Sequence, residues 1–386
     1  MAAAATSNFS SLLLLLLLSL LSTVFTSMHG FTDDPLIQQV VSSSDGRDDL
    51  LTSAEHQFSA FKIKYGKTYP TQEEEDYRFG VFISNLRLAR RNQIMDPTAV
   101  HGVTKFSDLT PSEFRWQYLS TGSHIQLPHD TGKWAPDLST DDLRPKKNWI
   151  EEGAVTAVKD QGKICNGCWA FSTIAVLEGA HYLANNRTEL VELSVQQLID
   201  CSTTTCTNYS DGREPLCNEG CKSGHRGLAF KYINITGGVM KADDYKFIAE
   251  TGNCKASSND KRYVASLSEF GFVRRDEDQY AAYLVEYGPL AVSTDLDFAQ
   301  TYLGGTTCTH KKHPGNISHA VTLVGYEKGT TDRDWIIKNS YGENWGERGY
   351  FRVCKHVLTN NNTWEPTAMY AVAKNKTRTL NYILSA

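Results

Sequence analysis

Between His56 and Gln93 apolar residues recur at three- and four-residue steps, through Phe58, Phe61, Phe79, Phe82, Leu86 and Ala89; this period predicts helix. Within it, Glu74, Arg78, Phe82, Asn85, Ala89 and Gln93 are spaced by 4, 4, 3, 4 and 4 residues, so all six share one face of a single helix. Any amphipathic helix shows such a stripe, and spacing alone gives it no role. The period then falls to two: Gly102, Thr104, Phe106 and Asp108 alternate as one face of a short strand would. Residues 119–148 are rich in Ser, Thr, Gly, Pro and Asp without a period, which predicts a linker open to proteolytic nicking. Beyond Gly153 helical patterns cover Trp169 to Asn185 and Ser194 to Cys201. Strand-like runs follow at Leu290–Ser293, Ala320–Val324, Trp335–Lys338 and Tyr350–Val353. No internal repeat is present.

The N-terminus carries a different signal. An unbroken leucine run from Leu12 to Leu18, extended through Leu20, Leu21, Val24 and Phe25, ends in small polar residues. It is short for a membrane helix and suits a signal peptide over residues 1–27, although residues 1–11 contain no Lys or Arg. Residues 28 to about 50 are polar and predict a flexible lead. The 386 residues are 22% charged and 40% hydrophobic with a net charge of −5, so no basic surplus points to nucleic acid. Asn186, Asn208, Asn234, Asn316, Asn361 and Asn375 each stand in a glycosylation sequon, which agrees with a secretory route.

All nine cysteines lie at or beyond residue 165, and an odd number in a secreted chain leaves one thiol over. In Gln161-Gly-Lys-Ile-Cys-Asn-Gly-Cys-Trp-Ala-Phe-Ser172 the second cysteine, Cys168, falls at the predicted N-terminus of a helix. The partial positive charge there favours thiolate. Cys165 can then be an ordinary disulfide partner. A thiol needs a base, and His319 opens a buried-looking strand from which its imidazole can face a cleft. Asn339, at the end of the following strand, can fix the tautomer and orientation of that ring.

With these residues in view the sequence resembles the papain-like cysteine proteases, most closely their cathepsin F-type branch in plants, from about residue 50 to 373. The resemblance implies an α+β, papain-like two-lobed fold, with a helical N-terminal lobe and a β-barrel-like C-terminal lobe, preceded by a helical propeptide. It divides the chain into a signal peptide (1–27), an inhibitory propeptide (28–142) and a peptidase domain (143–386). It makes Cys168 the nucleophile, His319 the general base and acid, and Asn339 its orienting partner, with Gln161 and the Cys168 N–H as oxyanion donors. The six-residue row matches the ERFNAQ pattern of such propeptides, and Gly102 to Asp108 their short strand motif. The implied disulfides are Cys165–Cys221, Cys201–Cys254 and Cys308–Cys354, with Cys206 and Cys217 left to pair. No cofactor and no metal are implied. The expected partners are protein and peptide substrates, the chain's own propeptide and cystatin-type inhibitors. A monomer is expected, with no nucleic acid and no membrane contact after signal cleavage. The destination is vacuole, lysosome or extracellular space. The acidic residues Glu74 and Asp108 are candidates for acid-triggered loosening of the propeptide.

Several positions depart from the family. One extra residue stands between Gln161 and Cys165, which predicts a displaced glutamine. Tyr341 replaces a tryptophan that shields the His–Asn bond, and is expected to cover it less completely. Asn148-Trp-Ile150 replaces Asp-Trp-Arg, and the substrate-pairing strand reads Gly220-Cys-Lys-Ser-Gly224. His225-Arg226 replaces an apolar wall of the pocket for the second residue before the scissile bond. Gly224, His225, Arg226 and Trp345 are therefore candidate substrate-binding residues, and the pocket is expected to take acidic or polar side chains unless both side chains turn to solvent. Three other readings compete with an active protease. They are an impaired homologue that binds peptides or proteases, a zinc cluster from Cys201, Cys206, Cys217 and Cys221, and a redox pair of Cys165 and Cys168.

Overall fold

The structure, a computed structural model, describes residues 47–119, 133–208, 214–308, 319–329, 333–358 and 368–375, with side chains from residue 53 onward. The leader, Asn316 and Asn361 lie outside the described residues. Helix α1 spans Arg47–Tyr65 and α2 spans Gln72–Met95. Thr71 caps α2 by accepting the Glu74 N–H at 3.2 Å, and Glu73, Glu74 and Glu75 suit the positive end of the helix dipole. Phe58, Phe61, Phe82, Ala89 and Val103 close a small core belonging to this helical segment.

The six-residue row lies within α2, and its polar members hold the chain that follows. Arg78 donates to Glu74 Oε1 at 2.7 Å, to Glu113 Oε2 at 2.8 Å and to the Asp108 carbonyl at 2.9 Å. The Asn85 amide donates to the Ser107 and Leu109 carbonyls, and Gln93 donates to Ala99 O while accepting the His101 N–H. Strand β1 is Ala99–His101. The predicted strand from Gly102 to Asp108 is instead a buried turn, closed by Ser107 N–H to Thr104 O and Leu109 N–H to Phe106 O. Its carbonyls are taken by Asn85, and Thr104 Oγ1 donates to Gln300 O at 2.5 Å. The segment is thus covered on both sides, and its period of two reflects no pleat. Helix α3, Pro111–Tyr118, starts with a capping box between Thr110 and Glu113.

The remaining elements are β2 (Lys133–Trp134), β3 (Lys147–Asn148), α4 (Cys168–Ala184), α5 (Val195–Cys201), β4 (Cys206–Thr207) and β5 (Leu216–Cys217). After them come α6 (Arg226–Thr236), β6 (Val239–Met240), β7 (Tyr263–Ala265), β8 (Leu267–Val273), α7 (Glu277–Tyr287) and β9 (Leu290–Thr294). The chain closes with β10 (Tyr302–Thr307), β11 (His319–Glu327), β12 (Asp334–Lys338), β13 (Tyr350–Cys354) and β14 (Ala368–Ala373). One mixed sheet runs β1-β10-β13-β12-β11-β9-β14-β8-β2, with β3 also paired to β11. Part of the predicted linker is therefore docked: Lys133 and Trp134 pair with β8, Leu138 exchanges hydrogen bonds with Gln279, and Lys147–Asn148 pairs with β11.

Strand β14 divides two cores by its period of two. Ala368 and Tyr370 join the core of the sheet and α7, whereas Met369, Ala371 and Ala373 face the core built on α4, α5 and α6. The result is an α+β fold with two packed lobes and a helical segment in front. The N-terminal segment donates β1 to the sheet edge, Ala99 opposite Gly305. A Cβ at Gly305 (φ +75°) would lie 2.6 Å from Thr98 O, so this backbone approach requires glycine. Disulfides join Cys165–Cys221, Cys201–Cys254, Cys206–Cys217 and Cys308–Cys354, leaving Cys168 as the free thiol.

Asp96, just past α2, ties this segment to the domain: it accepts from Thr307 Oγ1 and, at 3.3 Å, from the Cys308 N–H. Burial alone would raise its carboxyl. The hydrogen-bonding groups around it, His101 (Nε2 at 3.8 Å), Thr307, Cys308 and Thr98, outweigh that and hold it at about 2. A depressed carboxyl stabilises the folded state above its ordinary value of 3.8 and loses that contribution as pH falls toward about 2. Thermal unfolding of the precursor against pH is expected to show a loss of about 2 kcal/mol across that window. Asp96→Asn should lack this increment at neutral pH and show no such step.

Candidate active site

Cys168 is the first residue of α4, with Gly167 as its cap. The helix is buried nearly all round, as its apolar sequence requires, and Ser172 Oγ donates to Val321 O at 2.7 Å to fix it against β11. The thiol is buried. Burial raises its pKa, while the N–H groups of Ala320 and Trp169 and the charge of Arg226 act in the opposite direction. His319 opens β11 immediately before Ala320, and its Nε2 lies 2.9 Å from Asn339 Oδ1.

The tautomer follows from the partners. Asn339 Oδ1 also accepts the Ser340 N–H at 2.8 Å, which fixes it as the oxygen. Nε2 of His319 therefore carries the proton, and Nδ1, buried and without a hydrogen bond, holds the lone pair. Burial pushes the imidazole down to about 4 against the opposing effect of Asn339, so the ring is neutral at ordinary pH.

Ser340 links this pair to Gln161. Its hydroxyl donates to Gln161 Oε1 at 2.7 Å and its carbonyl accepts the Gln161 N–H at 2.9 Å. The Gln161 amide nitrogen consequently faces the Cys165 carbonyl at 3.4 Å, on the Cys168 side. The extra residue before Cys165 is accommodated outward: Lys163 and Ile164 are exposed, Gly162 takes φ +74°, and both Gln161 and Cys165 are fully buried. Sequence reasoning missed Ser340, although it directly follows Asn339.

Tyr341 is fully buried. Its ring centroid lies 4.9 Å from that of His319, and its hydroxyl donates to the Tyr118 carbonyl at 2.9 Å. Phe106, Phe114 and Tyr118 of the N-terminal segment pack edge-on against it. Lys105 adds bonds to Asp160 Oδ2 at 2.7 Å and to Tyr341 O at 2.6 Å. The expected thinner cover over the His–Asn bond is thus a closed one here, completed by a hydroxyl that tryptophan lacks. Glu74 pairs with Arg78, while Asp108 is held by Lys67 and Tyr69.

The candidate substrate residues divide. Gly220 to Gly224 is a turn rather than a strand, because Gly220 takes φ +61° against Thr251 and the Glu219 N–H bonds Ser223 O. A Cβ at Gly224 would lie 2.3 Å from the Trp169 ring. Trp345 is buried beneath Tyr341 with its indole N–H on Ala299 O, so in this state it belongs to the core. Arg226 is 8% exposed, so its side chain does not turn to solvent. Burial, helped by the charge of Arg226, pushes His225 down to about 4, which leaves Arg226 as the cation of the pair. Trp149 is buried and donates to Leu284 O. Of the described sequons, Asn186, Asn208 and Asn234 are exposed and Asn375 partly so.

Two rival chemistries conflict with the sulfur pairing. All four cysteines of the zinc reading are in disulfides, and Cys165 bonds Cys221 rather than Cys168.

Residues 143–372 match the family described as papain family cysteine protease, and residues 58–114 match the cathepsin propeptide inhibitor domain (I29). The chain is 48% identical to cysteine proteinase 15A of Pisum sativum, over 84% of this chain and 87% of the relative. It is 46% identical to probable cysteine protease RD19C of Arabidopsis thaliana, over 87% and 89%. Among solved structures it resembles digestive procathepsin L 3 of Tenebrio molitor larval midgut (29% identity, TM-score 0.67, 83% of this chain and 99% of that one). Recombinant stem bromelain precursor is similar too (27% identity, TM-score 0.66, 83% and 99%).

Tyr341→Phe is expected to weaken docking of the N-terminal segment by about 1 kcal/mol. The inhibition constant of the separate segment against the mature domain should rise about fivefold; an unchanged constant would show that the Tyr118 bond contributes nothing.

Proposed function

The chain belongs to the papain family of cysteine proteases, and on that premise we propose that Cys168, His319, Asn339 and Gln161 carry its reaction. The protein is a cysteine endopeptidase made with an inhibitory propeptide domain. The observation that carries the assignment is the bare Nδ1 of His319, whose other nitrogen is committed to Asn339, one residue before Ala320, whose backbone acts on the free thiol.

In the proposed sequence Nδ1 takes the Cys168 proton and the thiolate attacks the scissile carbonyl, breaking its π bond to form a tetrahedral oxyanion. The Cys168 N–H, at the positive end of α4, and the Gln161 amide donate to that oxygen as its charge develops. The imidazolium returns the proton to the leaving amine as the C–N bond breaks, leaving a thioester. Water, deprotonated by the same nitrogen, then adds to the thioester and releases the acid and the thiol. Asn339 keeps the ring in the tautomer that makes each transfer possible, and Ser340 keeps Asn339 and Gln161 in register.

The precursor state opposes this chemistry by desolvation. With the thiol raised and the imidazole lowered to about 4, proton transfer between them is unfavourable, and the pair rests neutral. Removal of residues up to about 137–143, a largely exposed stretch, would release the aromatic cluster from Tyr341 and admit water and substrate. Entry into the secretory pathway, with delivery to a vacuole, lysosome or the extracellular space, fits the leader and the exposed sequons.

Cys168→Ala is expected to abolish both peptide hydrolysis and labelling by a peptidyl epoxide in the matured enzyme, while Gln161→Ala should retain labelling and lower kcat on the order of 100-fold or more. A matured wild-type protein that binds peptides but neither labels nor hydrolyses them would establish the impaired-homologue reading instead.

A further inference from the structure

A buried cation, Arg226, lies within electrostatic reach of the thiol, where the reaction itself has no use for one. Arg226 is the first residue of α6, 8% exposed, and its Nη2 donates to Ser293 Oγ at 2.6 Å. Ser293 stands on β9 directly opposite Ala320, and the next residue, Thr294, stands opposite His319. The backbone of Ala320 and the charge of Arg226 both act on the Cys168 thiol, against the effect of burial. The guanidinium is thus anchored on Ser293, in the strand paired with the one that carries His319.

Its surroundings define what it can bind. His225, its neighbour, is pushed down to about 4, so at ordinary pH the imidazole adds no charge of its own. The N–H of His225 is held by Asn218 Oδ1 at 2.7 Å, and Gly224 is pressed against the Trp169 ring, so the backbone that presents Arg226 has little freedom. Ser293 offers a small neutral acceptor that aims the guanidinium without matching a carboxylate in strength. Arginine presents paired N–H donors that fit a carboxylate, and away from water that attraction is stronger than at a surface.

We propose that Arg226, positioned by Ser293, is the specificity determinant of the substrate cleft, selecting peptides with Asp or Glu at the second residue before the scissile bond. This rests on Cys168 and His319 being the reacting pair, since the location of Arg226 has meaning only relative to them. A peptide acylating Cys168 must lay its neighbouring side chains along β9 and β11, and the side chain that meets Arg226 carries its carboxylate there. An aliphatic side chain in the same place offers the guanidinium no acceptor where Asp or Glu offers a charged one, and that difference gives the discrimination.

The test is a matched peptide series with Glu, Asp, Gln, Leu or Phe at that position, cleaved by the matured wild type, Arg226→Met and Ser293→Ala. The ratio of kcat/KM for Glu over Leu cancels any general effect of Arg226 on the thiol. Wild type should prefer Glu and Asp over Gln and Leu, and Arg226→Met should shift the Glu-to-Leu ratio toward Leu on the order of 100-fold. Ser293→Ala, which keeps the cation and loses its guide, should shift the ratio in the same direction by less. A preference for Leu or Phe in wild type overturns the proposal, and so does an acidic preference that Arg226→Met leaves unchanged. Epoxide labelling of Cys168 separates the cases: variants that label are folded and competent. A wild type that neither labels nor cleaves any peptide would refute the catalytic assignment rather than the pocket. Should Arg226→Met fail to label, Ser293→Ala alone decides, an unchanged ratio counting against the proposal.

Discussion

The hydrogen bond between His319 and Asn339, closed over by Tyr341, is the contact on which the proposed activity and its proposed restraint both depend. It sets the imidazole tautomer, and through Ser340 it shares a scaffold with Gln161. The same ring that covers it carries the aromatic cluster of the propeptide on its other side, and its hydroxyl holds the Tyr118 carbonyl. On the proposed reading, inhibition and catalysis thus meet at one side chain.

The propeptide reaches that point through a relay that begins far from it. The polar members of the α2 row hold the turn from Gly102 to Asp108, that turn presents Phe106, and Phe106 with Tyr118 rests on Tyr341. At the other end β1 is hydrogen-bonded to the sheet edge and Asp96 is bonded to Thr307 and Cys308. The segment is therefore fixed to the domain by backbone pairing and a buried carboxylate, and the aromatic cover is placed by consequence.

Much of this was legible in the sequence because helical spacing and strand runs are local signals. The α2 row, the helix starting at Cys168 and the strand opened by His319 all follow from periodicity. Gly102–Asp108 was not legible as a turn, since a segment buried on both faces mimics the alternation of a strand. Gly220–Gly224 failed for a related reason: its geometry is set by Thr251 and Trp169, far away in sequence. Comparing residue types at position 341 predicted a thinner cover, because its partner, Tyr118, lies 223 residues away. Ser340 was missed because its role lies in joining two residues that were each found separately. His225 and Arg226 read as a cationic pair in sequence, and burial leaves only one of them charged.

On the proposed reading, burial of Cys168 and His319 is what separates precursor from enzyme. The direct measurement is the rate of alkylation of Cys168 by iodoacetamide against pH, in the precursor and in the matured protein. The eight other cysteines are in disulfides, so the signal belongs to one thiol. Slow modification of the precursor is expected across neutral pH, and fast modification of the matured protein that extends well below the ordinary thiol pKa of about 8.5. Identical profiles for the two forms would contradict it.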